Sequence, residues 1–187
     1  LRSQSGLEVL RRLISGSDVL VGNVRPASLE RLGVTEEYLD NANPDLISVF
    51  INGFSSDGIY SGRPAYDDLV QAKCGIPKIG KRSANQYIPS AIADRIAGYN
   101  CALAAVSMLS AKRGGAEGRL SQEIGMFEAV TDFVMSDHLG GATFVPRQGD
   151  IGFHRYAEVR RIFPTLDGEI ALMLHTDRHW QAFLAEM

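Results

Sequence analysis

The chain has little cysteine, no surplus of positive charge and no long apolar run, and each shortage excludes something. Of its 187 residues, Cys74 and Cys101 are the two cysteines. Two thiols do not staple a disulfide-rich secreted fold. With no signal-peptide pattern beside them, the expectation is reduced thiols in a cytoplasmic protein. Neither cysteine carries the local signature of a Cys-His nucleophile. Nineteen Lys and Arg against 22 Asp and Glu leave a net charge of −3. That argues against a general nucleic-acid binder, whose footprint is basic. No apolar stretch reaches the roughly 18 residues of a membrane helix. The longest, Ala97 to Leu109, is broken by Tyr99, Asn100 and Ser107. Repeats, low-complexity tracts and zinc-ligand spacings are missing as well, so no metal is expected.

What is there reads as an ordinary globular chain, 45% hydrophobic and 22% charged, long enough for one domain with a real core. Leu7, Leu10, Leu13 and Ile14 have the spacing of a helix face, with Gly16 as a stop. Asp18 to Val21 suits a buried strand. Pro26 fits the first turn of a helix running to Leu32 and ending at Gly33. Thr35 is placed to cap another short helix. Leu46 to Ile51, β-branched and aromatic, predicts a second buried strand. Ser55 to Pro64 is punctuated by Gly, Ser and Pro and must be loop, followed by a helical stretch over Tyr66 to Lys73. Cys74 to Pro89 is irregular and basic. Asp94 to Lys112 is the longest helix, rich in small residues that allow close packing, and Gly114-Gly115 ends it. Leu120 to Met126 is a weak strand and Phe127 to His138 a helix, which puts Glu128 at a strand-to-helix junction. Asp167-Gly168 between two apolar runs signals a hairpin, and the chain stops inside an amphipathic helix.

Strands alternating with helices imply βαβ units, a parallel sheet and an α/β fold. Loops after parallel strands are where such a sheet binds ligands. Here the loop of Asp18-Val-Leu-Val-Gly-Asn-Val-Arg-Pro26 carries Asn and Arg, which suit a phosphorylated ligand.

At these residues the chain resembles the class III CoA-transferases, the CaiB/BaiF-type family that also contains formyl-CoA and carnitine CoA-transferases and α-methylacyl-CoA racemase. The similarity runs through Asp18 to Pro26 with Leu29-Glu-Arg-Leu-Gly33, then Asn43-Pro-Asp-Leu-Ile47 and Gly53-Phe54. It continues through Arg63-Pro-Ala-Tyr-Asp67 with Gln71-Ala72, the Asp94 helix, Met126-Phe-Glu-Ala129 and Phe163-Pro-Thr-Leu-Asp-Gly168. Each piece is weak alone, but in this order and spacing they are specific.

The resemblance implies a Rossmann-like parallel sheet with flanking helices, a CoA-binding domain over 1–140, then a linker and the start of a smaller second domain over 141–187. It also implies a central piece of a longer protein, lacking the first βα unit and most of the C-terminal part, and an interlocked homodimer. Its substrates would be an acyl-CoA and a carboxylic acid, with no permanently bound cofactor.

In this family a carboxylate at the position of Glu128 attacks the acyl-CoA thioester, giving a mixed anhydride and free CoA thiolate. The usual residue is Asp, so Glu128 lengthens the reach by one methylene. A carboxylate near a helix N-terminus is stabilised as an anion. Read from the local sequence alone, Glu128 is an ordinary first-turn acid. The resemblance assigns Asn23, Val24, Arg25 and Arg31 to the adenine-nucleotide end of CoA, where planar guanidinium groups suit phosphate. Val24 stands where Phe is common. Arg25 and Arg31 also read as solvated helix charges.

Arg63, Tyr66 and Asp67 match the segment around the pantetheine and acyl region, and Asp67 is alternatively a helix cap. Lys78, Lys81 and Arg82 form a basic loop that reads as solvated or phosphate-directed. The racemase branch places a His before the long helix, and none stands there. His138, His154, His175 and His179 read as surface or core. A racemase and an inactive CoA-binding fragment remain the alternatives to a transferase.

Overall fold

The structure is a computed structural model and describes residues 1–79, 86–151 and 162–187. It divides into two compact units, Leu1–Ile76 with Tyr87–Met135, and Pro77–Gln86 with Ser136–Met187.

The first unit runs α1 (Gln4–Ser15), β1 (Val19–Gly22), α2 (Pro26–Arg31), α3 (Glu36–Ala42), β2 (Ile47–Asn52), α4 (Asp67–Lys73), α5 (Ile92–Arg113), β3 (Leu120–Gly125) and α6 (Met126–His138). The last turn of α6 belongs to the second unit. The strands form a parallel sheet in the order β1-β2-β3, with Val19 paired to Ile47, Ile47 to Leu120, and Asn52 to Gly125. Each crossover is helical, as the alternation of apolar runs and helix periods predicts.

Local chemistry sets the boundaries. Ser3 caps α1, its hydroxyl accepting from Gly6 N at 3.1 Å, so this helix starts three residues before the apolar pattern does. Thr35 caps α3 through Tyr38 N at 3.1 Å. Pro26 opens α2 with its φ already set for a helix.

Strand β2 is apolar on both faces because both are covered. Leu46, with Phe50 beside it, packs on Ile14, Val34, Leu39 and Ala42 from the α1–α3 layer. Ile47 and Val49 meet Cys101, Ala104, Ala105 and Met108 of α5 on the other face. Fully burying side chains such as Val49 stabilises the fold by about 1.5–3 kcal/mol each. Arg119 ties the start of β3 to α3, with its guanidinium on Asp40 at 2.5 Å and on Glu36. The same group reaches the buried Ser48 hydroxyl at 3.0 Å.

The second unit holds an antiparallel hairpin, β4 (Ile162–Pro164) and β5 (Glu169–Ala171), and helix α7 (Asp177–Glu186). Thr165 N closes the Asp167-Gly168 turn on Gly168 O at 2.8 Å. Thr176 caps α7 through His179 N. Among the described residues, no helix is long and apolar enough to cross a membrane.

Candidate active site

All three parallel strands end at one edge of the sheet, where loops follow β1 and β2, and a cavity of about 980 Å³ opens there. Asn23, Arg25 and Arg31 reach it from the segment after β1 and from α2. Arg63 and Tyr66 reach it from the loop before α4, and Asn52, Gly53 and Phe54 from the end of β2. Five of the six residues expected to bind CoA, three from the nucleotide side and two from the pantetheine side, therefore meet in one place. Val24 is 40% exposed and is not part of the wall.

The cationic side is loosely held. Arg25, Arg31 and Arg63 are exposed. Arg31 folds back on its own helix, donating to Ala27 O at 3.0 Å and to the Ser28 hydroxyl at 3.0 Å. Arg63 lies 5.6 Å from the Tyr60 ring centre. Tyr66 is 78% exposed. Planar donors in such open positions swing readily onto an anionic ligand.

The carboxylate side is tightly held. Glu128 lies in the first turn of α6, half-buried, and its Oε2 accepts from Ser55 N at 3.1 Å. Phe54 and Ser56, on either side of Ser55, line the cavity. A Cβ on Gly125 would collide with Glu128 Oε2 and come within 3.0 Å of Ser55 N. Glycine is thus what lets the carboxylate lie against the end of β3. Gly53 plays a similar part, since a Cβ there would collide with that of Ala65. Phe54, Tyr60 and Phe127 pack ring against ring, with centres 5.3, 5.7 and 6.1 Å apart. This cluster fixes the 54–60 loop on the start of α6.

A second carboxylate holds the same loop. Glu123 Oε1 accepts from Ser56 N at 2.8 Å. Burial pushes the Glu123 carboxyl up, but hydrogen bonds from the Ser56 hydroxyl, the Asn52 side chain and the Ser56 N–H outweigh it and hold the group below its ordinary value. Consecutive N–H groups, Ser55 and Ser56, are thus taken by Glu128 and Glu123.

Asp67 lies on the cavity wall, yet its carboxylate serves the fold. Oδ1 accepts from Ala93 N at 2.7 Å and Asp94 N at 3.1 Å at the start of α5, while Oδ2 accepts from Gln71 at 2.6 Å. The residue at the N-cap of α5 is Ala91, which has no side chain to do this. So the cap acts on α5 and not on the adjoining α4. Gln71, fully buried, also ties the 88–90 segment through Ile88 N, Ile88 O and Ser90 O.

The cysteines are poor nucleophiles. Burial pushes the Cys74 thiol up, nearby Glu128 adds to this, and only the Thr131 hydroxyl opposes it. Burial raises Cys101 as well. His138 is buried at the end of α6, and His175 and His179 are exposed on the second unit. Lys81, Arg82 and His154 lie outside the described residues, and Lys78 falls in a short 3-10 turn. Among the described residues, no three or more His, Cys, Asp or Glu side chains gather to hold a metal ion.

Four site residues have no signature in the sequence: Asn52, Ser55, Glu123 and Gly125. The available signal was position, since all stand within three residues of a strand end that faces the binding edge.

These features define a class first: an open parallel α/β protein with an arginine-bearing cavity beyond the carboxyl ends of its strands. Comparison narrows the class. The model of CoA-transferase family III matches residues 1–187, and the chain belongs to that family.

It is 30% identical over 189 residues to the succinyl-CoA–L-malate CoA-transferase beta subunit of Chloroflexus aurantiacus, covering 95% of this chain and 45% of that protein. It is 24% identical over 197 residues to the probable fatty acyl-CoA transferase Rv3272 of Mycobacterium tuberculosis, covering 97% of this chain and 49% of that one. A CAIB/BAIF family protein from Brucella suis superposes with a TM-score of 0.77 at 24% identity, over 99% of this chain and 50% of that one. The orthorhombic form of Rv3272 gives a TM-score of 0.82 at 21% identity, over 99% and 49%. At these identities the structural likeness speaks to the fold. The chain spans about half the length of these relatives.

Proposed function

We propose that the protein moves CoA from an acyl-CoA donor to a carboxylic acid acceptor, with Glu128 as the nucleophile. The observation that carries this reading is a carboxylate pinned to the backbone of Ser55, whose neighbours Phe54 and Ser56 line an arginine-bearing cavity that Glu128 itself does not line. A Glu128 oxygen bonds to the thioester carbonyl carbon. The carbon–sulfur bond breaks, and its electron pair leaves on sulfur as CoA thiolate. The enzyme then holds an acyl-glutamyl anhydride, and exchange through carboxylate intermediates returns CoA to the acceptor acid. No oxidant or metal is required by this balance.

The nucleotide end of CoA is assigned to Asn23, Val24, Arg25 and Arg31, with the guanidinium groups on phosphate oxygens, and the pantetheine and acyl region to Arg63 and Tyr66. Ser55 N–H holds the nucleophile in place before substrate arrives, which is where preorganisation contributes.

A homodimer is part of the same reading. Tyr99, Leu103 and Val106, spaced along one face of α5, are 77%, 67% and 64% exposed and form an uncovered apolar stripe. The cytoplasm is the compartment that supplies acyl-CoA to such an enzyme.

The test incubates the protein as encoded with a panel of acyl-CoA donors and carboxylic acids. New acyl-CoA formed from an added acid supports transfer. Proton exchange α to the thioester, with no transfer to any acid, would favour the racemase reading. Absence of both, together with CoA binding, would favour a binding protein.

A further inference from the structure

The cavity wall between β2 and α4 has no helix or strand of its own. Residues 53–66 cross it as loop, and Ser56, Ser61, Gly62, Arg63 and Tyr66 line the cavity from it. Three turns follow one another along this loop. Ser55 O accepts from Gly58 N at 3.1 Å, Gly58 O from Ser61 N at 2.9 Å, and Tyr60 O from Arg63 N at 3.1 Å. Each turn begins at or before the end of the last. The placement of residues 55 and 56 is therefore carried forward to Arg63.

Strand β3 holds the start of that series. Residues two apart on a strand share a face, so Glu123 stands on the same face of β3 as Gly125. The Glu128 carboxylate lies against Gly125. Two carboxylates thus reach the loop from one side and take neighbouring donors, Ser55 N–H by Glu128 at 3.1 Å and Ser56 N–H by Glu123 at 2.8 Å. Glu123 is half-buried, and among the described residues no lysine or arginine pairs with it. A carboxylate drawn out of water without a counter-charge is costly, and a charge-assisted bond to a backbone N–H offsets that cost. What Glu123 gains by its position is a hold on the loop.

We propose that Glu123 is a positioning residue, whose hold on Ser56 N–H sets Arg63 and Tyr66 on the cavity wall for the arm and acyl end of the substrate. This rests on the reading of the protein as a CoA-transferase. Glu123 does not line the cavity, so it acts on the ligand only through the loop. Asn23, Arg25 and Arg31 come from a different segment, after β1, and do not depend on it.

The experiment is calorimetric titration of the protein as encoded with two probes, CoA and adenosine 3′,5′-bisphosphate, which lacks the arm. Glu123→Leu removes the acceptor and is expected to weaken CoA about tenfold while leaving the bisphosphate within about twofold of wild type. Glu123→Gln keeps a carbonyl oxygen for Ser56 N–H and is expected to bind CoA within about threefold of wild type. Glu123→Asp, whose carboxylate falls a methylene short of Ser56, should weaken CoA more than Glu123→Gln does, and it decides the matter if Glu123→Leu does not fold. Unchanged CoA affinity in Glu123→Leu, an equal loss for both probes, or a Glu123→Gln protein no better than Glu123→Leu overturns the proposal while leaving the transferase reading intact. A wild-type protein that binds neither probe overturns both.

Discussion

The two sides of the cavity are built on opposite principles. On one side Glu128 is half-buried, bonded to Ser55 N–H and lying against Gly125, with the loop around it fixed by Glu123 and three rings packed at steep angles. On the other side Arg25, Arg31 and Arg63 are exposed, and Arg31 rests on its own helix. The difference suits what each side does in the proposed reaction. A nucleophile misplaced by an ångström loses its advantage, whereas a phosphate-binding guanidinium acts through charge and adjusts as the ligand arrives. Rigidity is concentrated where the proposed reaction makes its bond.

That contrast makes an ordered set of expectations. Glu128→Gln keeps shape and removes the nucleophile, so transfer should fall on the order of a thousandfold or more while CoA affinity stays near that of the wild type. Steady-state kinetics and titration together check this. Glu128→Asp keeps a carboxylate one methylene shorter and should recover part of the rate.

Gly125→Ala attacks the placement and not the group. The added methyl displaces the carboxylate from Ser55 N–H, and kcat should drop about a hundredfold with little change in KM for acyl-CoA. An unchanged kcat would show that the contact is incidental.

The cationic side should give smaller and salt-sensitive effects. Arg25→Ala, Arg31→Ala and Arg63→Ala are each expected to weaken CoA by up to about tenfold, with kcat at saturation nearly preserved. Raising ionic strength should shrink the difference from wild type, because exposed charges are screened beyond a Debye length of about 8 Å at physiological salt. A loss confined to kcat would break the assignment of these residues to binding.

Asp67→Ala tests a part of the wall read as structural. Losing the cap on α5 should cost about 1 kcal/mol or more of stability, seen as a lower denaturant midpoint. CoA affinity in the folded fraction should be close to wild type.

The smallest effect concerns pH. Glu123 has a folded-state pKa below its unfolded value, so it contributes stability that is present above the unfolded pKa and lost as pH falls through the folded one. Acid unfolding of Glu123→Gln should lack this component and be flatter than wild type below the ordinary carboxylate range.

Much of the sheet was legible in the sequence, and much of the site was not. Pro26, Thr35 and the apolar run from Leu46 act locally, so α2, α3 and β2 are where their residue types predict. Glu128 at a strand-to-helix junction was readable for the same reason, because β3 passes into α6 with no loop between. Asp67 was not. Its two candidate roles are separated only by the packing of α4 on α5, which brings its carboxylate to backbone groups 26 and 27 residues away.

Asn52, Glu123 and Gly125 were hidden for a related reason. Periodicity tells which face a strand residue takes, but not which residue of the next strand lies opposite. The pairing of Asn52 with Gly125 and the hold of Glu123 on Ser56 exist only once β2 and β3 are in register.

The central claim is that Glu128 forms a covalent bond to the acyl group. It is tested most directly by treating the protein as encoded with acyl-CoA and then hydroxylamine, followed by peptide mass analysis. The account predicts a hydroxamate at Glu128 that requires acyl-CoA and is lost in Glu128→Gln. Transfer at the wild-type rate in Glu128→Gln, or turnover with no modification at Glu128, would contradict it.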